Sequence, residues 1–151
     1  MKSKYNLSFY LLCLFGFILT CIGIYFIVFR PQLLPEDIRF MGINEVQDQS
    51  FRNLASPWLK QVFRVLGGYI ITSGVLFIFI AFKSFRKFEV WSWFTALFAG
   101  ITSIGIMTAI NFKIGSDFKW WLLLLSLIWI SSLILNLYEK TNDQHNQGEK
   151  L

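Results

Sequence analysis

The residues best suited to chemistry lie in one polar stretch: Glu36, Asp37 and Arg39, then Glu45, Asp48 and Arg52, and finally Arg64. Two carboxyl groups beside guanidinium groups are the raw material of general acid–base work, in which one group gives a proton and another takes it. The same residues also have a plainer use. Glu36 and Asp37 follow Pro35, and acids in a first helical turn complement the positive end of the helix dipole. Arg64 is placed to anchor a helix end by reaching toward the headgroups. The candidate polar site is therefore Glu36, Asp37, Arg39 and Arg64, and no residue is assigned a catalytic role. Gly67-Gly68, beside Arg64, offers backbone that a headgroup or a quinone could approach.

Other reactive side chains are sparse. Cys13 and Cys21 lie on one apolar run, about 12 Å apart along a helix axis and so beyond disulfide reach. Isolated thiols in such a run read as small packing residues. The sole histidine, His145, sits in a polar stretch near the C-terminus, which leaves no histidine to ligate a haem or a metal in the apolar runs. No metal and no cofactor is expected.

The elements that must position these groups are set by where charge is missing. Four runs carry none: Tyr5 to Phe29, Val65 to Phe82, Val90 to Phe112 and Trp120 to Tyr138. A hydrocarbon core needs about 20 helical residues to cross. Runs of this length without alternation are helices and not barrel strands. Ser56 followed by Pro57 reads as an N-cap and first helical residue, which lengthens the second run backwards. The predicted helices are 7–29, 57–82, 90–112 and 118–138. Trp58, Trp91, Trp93, Trp120 and Trp121 fall at run ends, where an amphipathic ring prefers the interface. Lys2 and Lys4 before the first run also suit a cleaved signal, but the run is too long and ends at Arg30-Pro31 without a small-residue cleavage site, so a retained anchor is expected.

The fold class is an all-α membrane protein, an up-down four-helix transmembrane bundle with a structured polar loop at 30–56 and a disordered polar tail at 139–151. Short second and third connections make sequential helices antiparallel neighbours. Within the loop, Pro35 marks a helix start and Gly42 its stop. A second short helix is expected from Asn44, with Gln47 in a capping position and Asp48 four residues before Arg52. A mean hydropathy of +0.54 agrees with a membrane location.

In lipid, helices meet through small residues at helical spacing. The packing candidates are Gly16, Thr20 and Gly23 on the first helix, Gly67 and Gly74 on the second, and Gly100 on the third. Such stripes serve packing within one chain, and equally a dimer seam or a lined cavity. None of the four runs holds Asp, Glu, Lys, Arg or His between its flanking charges, which argues against a proton relay. The net charge of +5 calls for membrane lipid as partner and not for nucleic acid. Lys and Arg divide seven and seven between the two sides. Density then decides, with Lys83, Arg86 and Lys87 crowded in a short connection, and both termini are expected in the cytoplasm.

The run Leu34-Pro35-Glu36-Asp37-Ile38-Arg39-Phe40-Met41-Gly42, with Gly67-Gly68, Gly74 and Trp91-Ser92-Trp93 further on, resembles a group of bacterial four-helix membrane proteins that are loosely DoxX-like. The resemblance spans residues 30 to 110 and implies a four-helix fold in a bacterial plasma membrane, without a reaction. Members often carry a His-Asp-Arg cluster before the paired glycines. This chain has Val62-Phe63-Arg64 there and lacks the histidine and the acid, which puts any activity of that cluster in doubt.

The expected role is a non-catalytic membrane component or accessory subunit, with a protein partner or a second copy of the chain as further possibilities. The alternatives are a small membrane enzyme or redox accessory acting on lipid or quinone at the loop face, and an oligomeric transporter or channel. One consequence holds for all three. On size exclusion the purified chain should be monodisperse in detergent and aggregate when detergent is removed; a monodisperse species in plain buffer would exclude a bilayer protein.

Overall fold

Backbone surrounded by hydrocarbon has no water to bond, so each apolar run must close its own ladder of hydrogen bonds. The computed structural model describes residues 6–42 and 45–148, with the backbone alone at 45–48, 50–52 and 146–148. In chain order the elements are α1 (Leu7–Val28), α2 (Pro35–Met41), α3 (Glu45–Lys83), a 3-10 turn (Phe85–Lys87), α4 (Val90–Gly100), a π-turn (Ile101–Gly105), α5 (Ile106–Ile114) and α6 (Lys119–Gly148). Among the described residues, four stretches are long and apolar enough to cross a membrane: Leu7–Val28, Asn53–Lys87, Val90–Ile114 and Lys119–His145. The protein is an all-α, multi-pass bundle whose third span is α4, the π-turn and α5 joined end to end.

α1 and α3 approach until their backbones touch. A methyl group on Gly16 would lie 2.7 Å from the carbonyl oxygen of Gly74, and one on Gly23 would lie 2.7 Å from that of Gly67. The reverse holds for Gly67 against Gly23 and for Gly74 against Gly16. Thr20 sits between the two glycine pairs, with its hydroxyl donating to the Gly16 carbonyl at 2.9 Å. Without side chains in the way, dispersion contacts run along the whole seam.

The third and fourth spans use an aromatic key instead. The Trp129 indole lies on Gly100, where a β-carbon would overlap its ring. Its Nε1–H donates to the Ala96 carbonyl at 3.0 Å. Trp93 returns the contact by donating to the Leu133 carbonyl at 3.1 Å. Ser92, Ala96, Gly100, Ile104 and Thr108 are all buried. A step of four drifts by about 40° per turn in an α-helix. The π-turn adds a residue to its turn and winds that drift back, which keeps Ile104 and Thr108 facing α6. Thr108 and Ser126 then share a buried hydrogen bond of 2.9 Å.

The apolar core runs along the bundle, with its phenylalanines toward one end. Phe9, Leu12, Phe15 and Leu19 of α1 form one buried cluster with Phe77 and Ala81 of α3, Phe85, and Leu133 of α6. A polar lock closes the same end. Glu139 on α6 accepts from both the Ser8 backbone N–H and the Ser8 hydroxyl, so a carboxylate from the fourth span caps the first. Asn136 donates to the Phe85 carbonyl at 3.0 Å, and Asn6 donates to that of Arg86 at 3.1 Å.

Two boundaries differ from the sequence reading. α3 begins at Glu45 and not at 57, passing through Pro57. Proline removes one donor and crowds the preceding turn. Here both Asn53 and Pro57 are exposed at the start of the span, where water can satisfy the freed carbonyl. α6 continues to Gly148, so residues 139–148 are helix and not a disordered tail. Extending an existing helix needs no new nucleus, and Glu139 is pinned to Ser8. The short helix expected from Asn44 begins outside the described residues, as do the side chains of Glu45, Gln47, Asp48 and Arg52.

Gly74→Val forces its Cβ onto the Gly16 carbonyl and should destabilise the bundle by roughly 1–3 kcal/mol. Gly68→Ala meets nothing within 4 Å and should be neutral or slightly stabilising. Thermal unfolding of both variants in one detergent distinguishes them, and equal melting temperatures would mean that α1 and α3 do not meet along this seam.

Candidate functional site

At the end opposite the Glu139 lock the spans draw apart and leave a groove of about 1070 Å³. This is at the upper limit of the roughly 300–1,000 Å³ of ordinary ligand clefts. Its walls come from the second half of α1, the middle of α3, the π-turn with α5, and the first half of α6, and include Ile22, Ile70, Ile106, Met107, Leu125 and Ile128. The serine and threonine hydroxyls on the walls are already engaged. Ser73 donates to the Tyr69 carbonyl at 2.9 Å, Thr102 to that of Phe98 at 2.9 Å, and Ser103 to that of Ala99 at 2.6 Å. Their donors are turned back on their own helices, so the walls present a mainly apolar surface.

The groove becomes polar only at its mouth, beneath α2. Local chemistry places that helix. Pro35 opens it, the Asp37 carboxylate reaches back to the Leu34 N–H at 2.9 Å, and Gly42 closes it in the left-handed conformation. Asp37 also faces Arg30, with 3.5 Å between carboxylate and guanidinium. The Arg30 side chain is only 9 % exposed. It lies over the Phe63 ring at 3.5 Å and near Phe26 at 5.2 Å, a cation–π seat joining α1 to α3. Its Nη1 donates to the Pro31 carbonyl at 3.1 Å. Burial lowers the Arg30 pKa from its ordinary value, while Asp37 and, more weakly, Glu36 oppose the change. Arginine remains a cation throughout the physiological range.

Glu36 occupies the opposite side of the mouth and is 3 % exposed. Its Oε1 accepts from the Ser116 hydroxyl at 3.1 Å, which ties α2 to the connection before α6. That connection turns at Gly115, whose φ of +72° suits glycine. Ser116 Oγ in turn accepts the Phe118 N–H at 3.2 Å. Among the described residues no cation lies within 4.0 Å of Glu36.

The candidate residues thus separate. Glu36 and Asp37 both line the mouth. Asp37 is committed to Arg30 and the helix cap, so the two acids do not form a free acid–base pair. Arg39 points outward to the Gly115 carbonyl at 3.4 Å and to Asp117 at 3.8 Å, with both of these side chains more than half exposed. Arg64 is exposed, bonds Gln61 of its own helix at 3.4 Å and is not among the lining residues. Of the glycine pair beside it, Gly67 is packed on Gly23 and Gly68 faces open space, and neither lines the groove. Sequence reasoning passed over Arg30 and Ser116. Arg30 looked like an ordinary charge ending a span, although its place just before Pro31 and near the Pro35 helix start was a usable signal.

Among the described residues no three His, Cys, Asp or Glu side chains cluster to hold a metal. The site is that of a membrane bundle with an amphipathic groove, mainly apolar along its length and charged at one end. Comparison with known protein families, with curated proteins and with solved structures gives no match.

Asp37→Ala removes a cap and the partner of a largely buried arginine, and should cost roughly 2 kcal/mol. Arg39→Ala breaks only an exposed pair and should change stability by less than about 0.5 kcal/mol. Melting curves of the two variants side by side check this ranking; a larger loss for Arg39 would contradict the arrangement.

Proposed function

We propose that the protein is a non-catalytic component of a bacterial plasma membrane that holds one lipid-like amphiphile in its groove. The observation carrying this reading is the division of the groove into apolar walls and a single charged mouth formed by Arg30, Glu36 and Asp37. A chain-bearing molecule matches both parts at once. Among the described residues Asp37 is committed to Arg30 and the helix cap, so the two acids of the mouth form no free acid–base pair, which favours retention over turnover. The basic cluster Lys83, Arg86 and Lys87 lies at the end that holds the start of α1 and the far part of α6, and supports cytoplasmic termini. The charged mouth then faces the outer leaflet.

The test is native mass spectrometry of protein released from lipid nanodiscs. One lipid should remain on the wild type under conditions that strip the belt lipids. Ile106→Trp with Ile128→Trp fills the walls and should remove it while leaving the melting temperature in detergent within a few degrees. Wild-type protein that emerges bare, or filled variants that keep the lipid, would defeat the proposal.

A further inference from the structure

We infer that the mouth of the groove selects a headgroup carrying an N–H-bearing ammonium next to a phosphate, the chemistry of an ethanolamine phospholipid. The inference rests on the groove reading above and adds the identity of the polar end. Glu36 is its centre. A carboxylate on a residue only 3 % exposed and bonded to one neutral hydroxyl is an expensive arrangement unless a cation or strong donor completes it. Arg30 acts on Glu36 only from a distance, because its guanidinium is bonded to Asp37 and the Pro31 carbonyl. Among the described residues no buried side-chain oxygen or nitrogen lacks a partner, and Glu36 Oε2 has no hydrogen-bond partner among them. That oxygen therefore keeps an open face, and Glu36 lines the groove.

The charges at the mouth sum to an excess of acid, with Glu36 and Asp37 against Arg30. An anionic headgroup would bring its charge toward Glu36 and be repelled. A primary ammonium would meet Glu36 with a charge-assisted hydrogen bond. Its phosphate would lie toward Arg30, whose planar guanidinium has five N–H donors. Two of its nitrogens are engaged by protein, each with a single contact. A choline headgroup carries the same charges but no N–H, so it can offer Glu36 no hydrogen bond. A diacylglycerol hydroxyl can donate but brings no charge. Discrimination among these rests on Glu36.

The experiment presents wild-type protein in nanodiscs with equal amounts of ethanolamine, choline and glycerol phospholipids and diacylglycerol of matched chains, and identifies the retained lipid by native mass spectrometry. The ethanolamine lipid should be enriched about tenfold or more over each of the others, the scale of one charge-assisted bond. Glu36→Gln keeps an acceptor for Ser116 and should reduce this preference to about twofold or less, with lipid still bound. Lipid retained without headgroup preference, or a preference for the glycerol phospholipid, choline phospholipid or diacylglycerol, overturns the inference while leaving the groove intact. No lipid retained by wild type overturns the groove itself. Should Glu36→Gln fail to fold, the wild-type competition alone decides between these outcomes.

Discussion

In hydrocarbon, burying one apolar side chain against another gains little, because the lipid it leaves is equally apolar. Helices there must be held by contacts that lipid cannot imitate: backbone touching backbone, and polar groups bonded across helices. Two of the closest joins among the described residues are of these kinds. Gly16 and Gly23 seat α1 on Gly74 and Gly67 of α3. Trp129 seats α6 on Gly100 and reaches a backbone carbonyl of α4. α1 packs most extensively on α3 and next on α6, while the third span packs mainly on α6, and the shape of the bundle follows from how these spans are joined.

They are joined unequally. At one end a core of phenylalanines and leucines fills the space, and Glu139, Asn136, Ser8 and the Phe85 carbonyl bond across it. At the other, α2 and the Glu36–Ser116 bond bridge the gap. The π-turn contributes to this difference. It keeps the buried stripe of the third span on α6, and it also directs Thr102, Ser103 and Ile106 to the groove wall. The groove is thus a consequence of closing the bundle more tightly at one end than at the other.

The fold class was legible in the sequence because its cause is local: a run without charge either enters lipid or does not. The glycine spacing was equally open to view, since a stripe needs only helical geometry. The two misplaced boundaries arose where a local rule met a wider one. Pro57 is a good helix start in isolation, yet water at the start of the span lets α3 run through it. Residues after Tyr138 are polar enough for disorder, yet Glu139 has a partner at the start of the chain. The site was half legible. Glu36 and Asp37 carried a visible helix start, but the burial of Glu36 depends on Ser116, eighty positions away. Arg30 gave the same signal as any charge that ends a span. Its seat on Phe63 exists only once α1 and α3 are paired.

That seat makes the asymmetry of the mouth intelligible. A guanidinium pressed on aromatic rings loses hydration on one face, and a nearby carboxylate offsets the loss. Asp37 provides this, and it does so from a position that also caps α2, so one carboxylate serves both tasks. Glu36, the next residue back, is carried by the same helix into the groove, where Ser116 answers only one of its oxygens. Pairing α1 to α3 therefore fixes Arg30, Arg30 helps fix α2 through Asp37, and α2 delivers a second acid to the edge of an apolar groove. An unfilled acceptor at that position is the direct consequence of the helix seam that begins the chain of contacts.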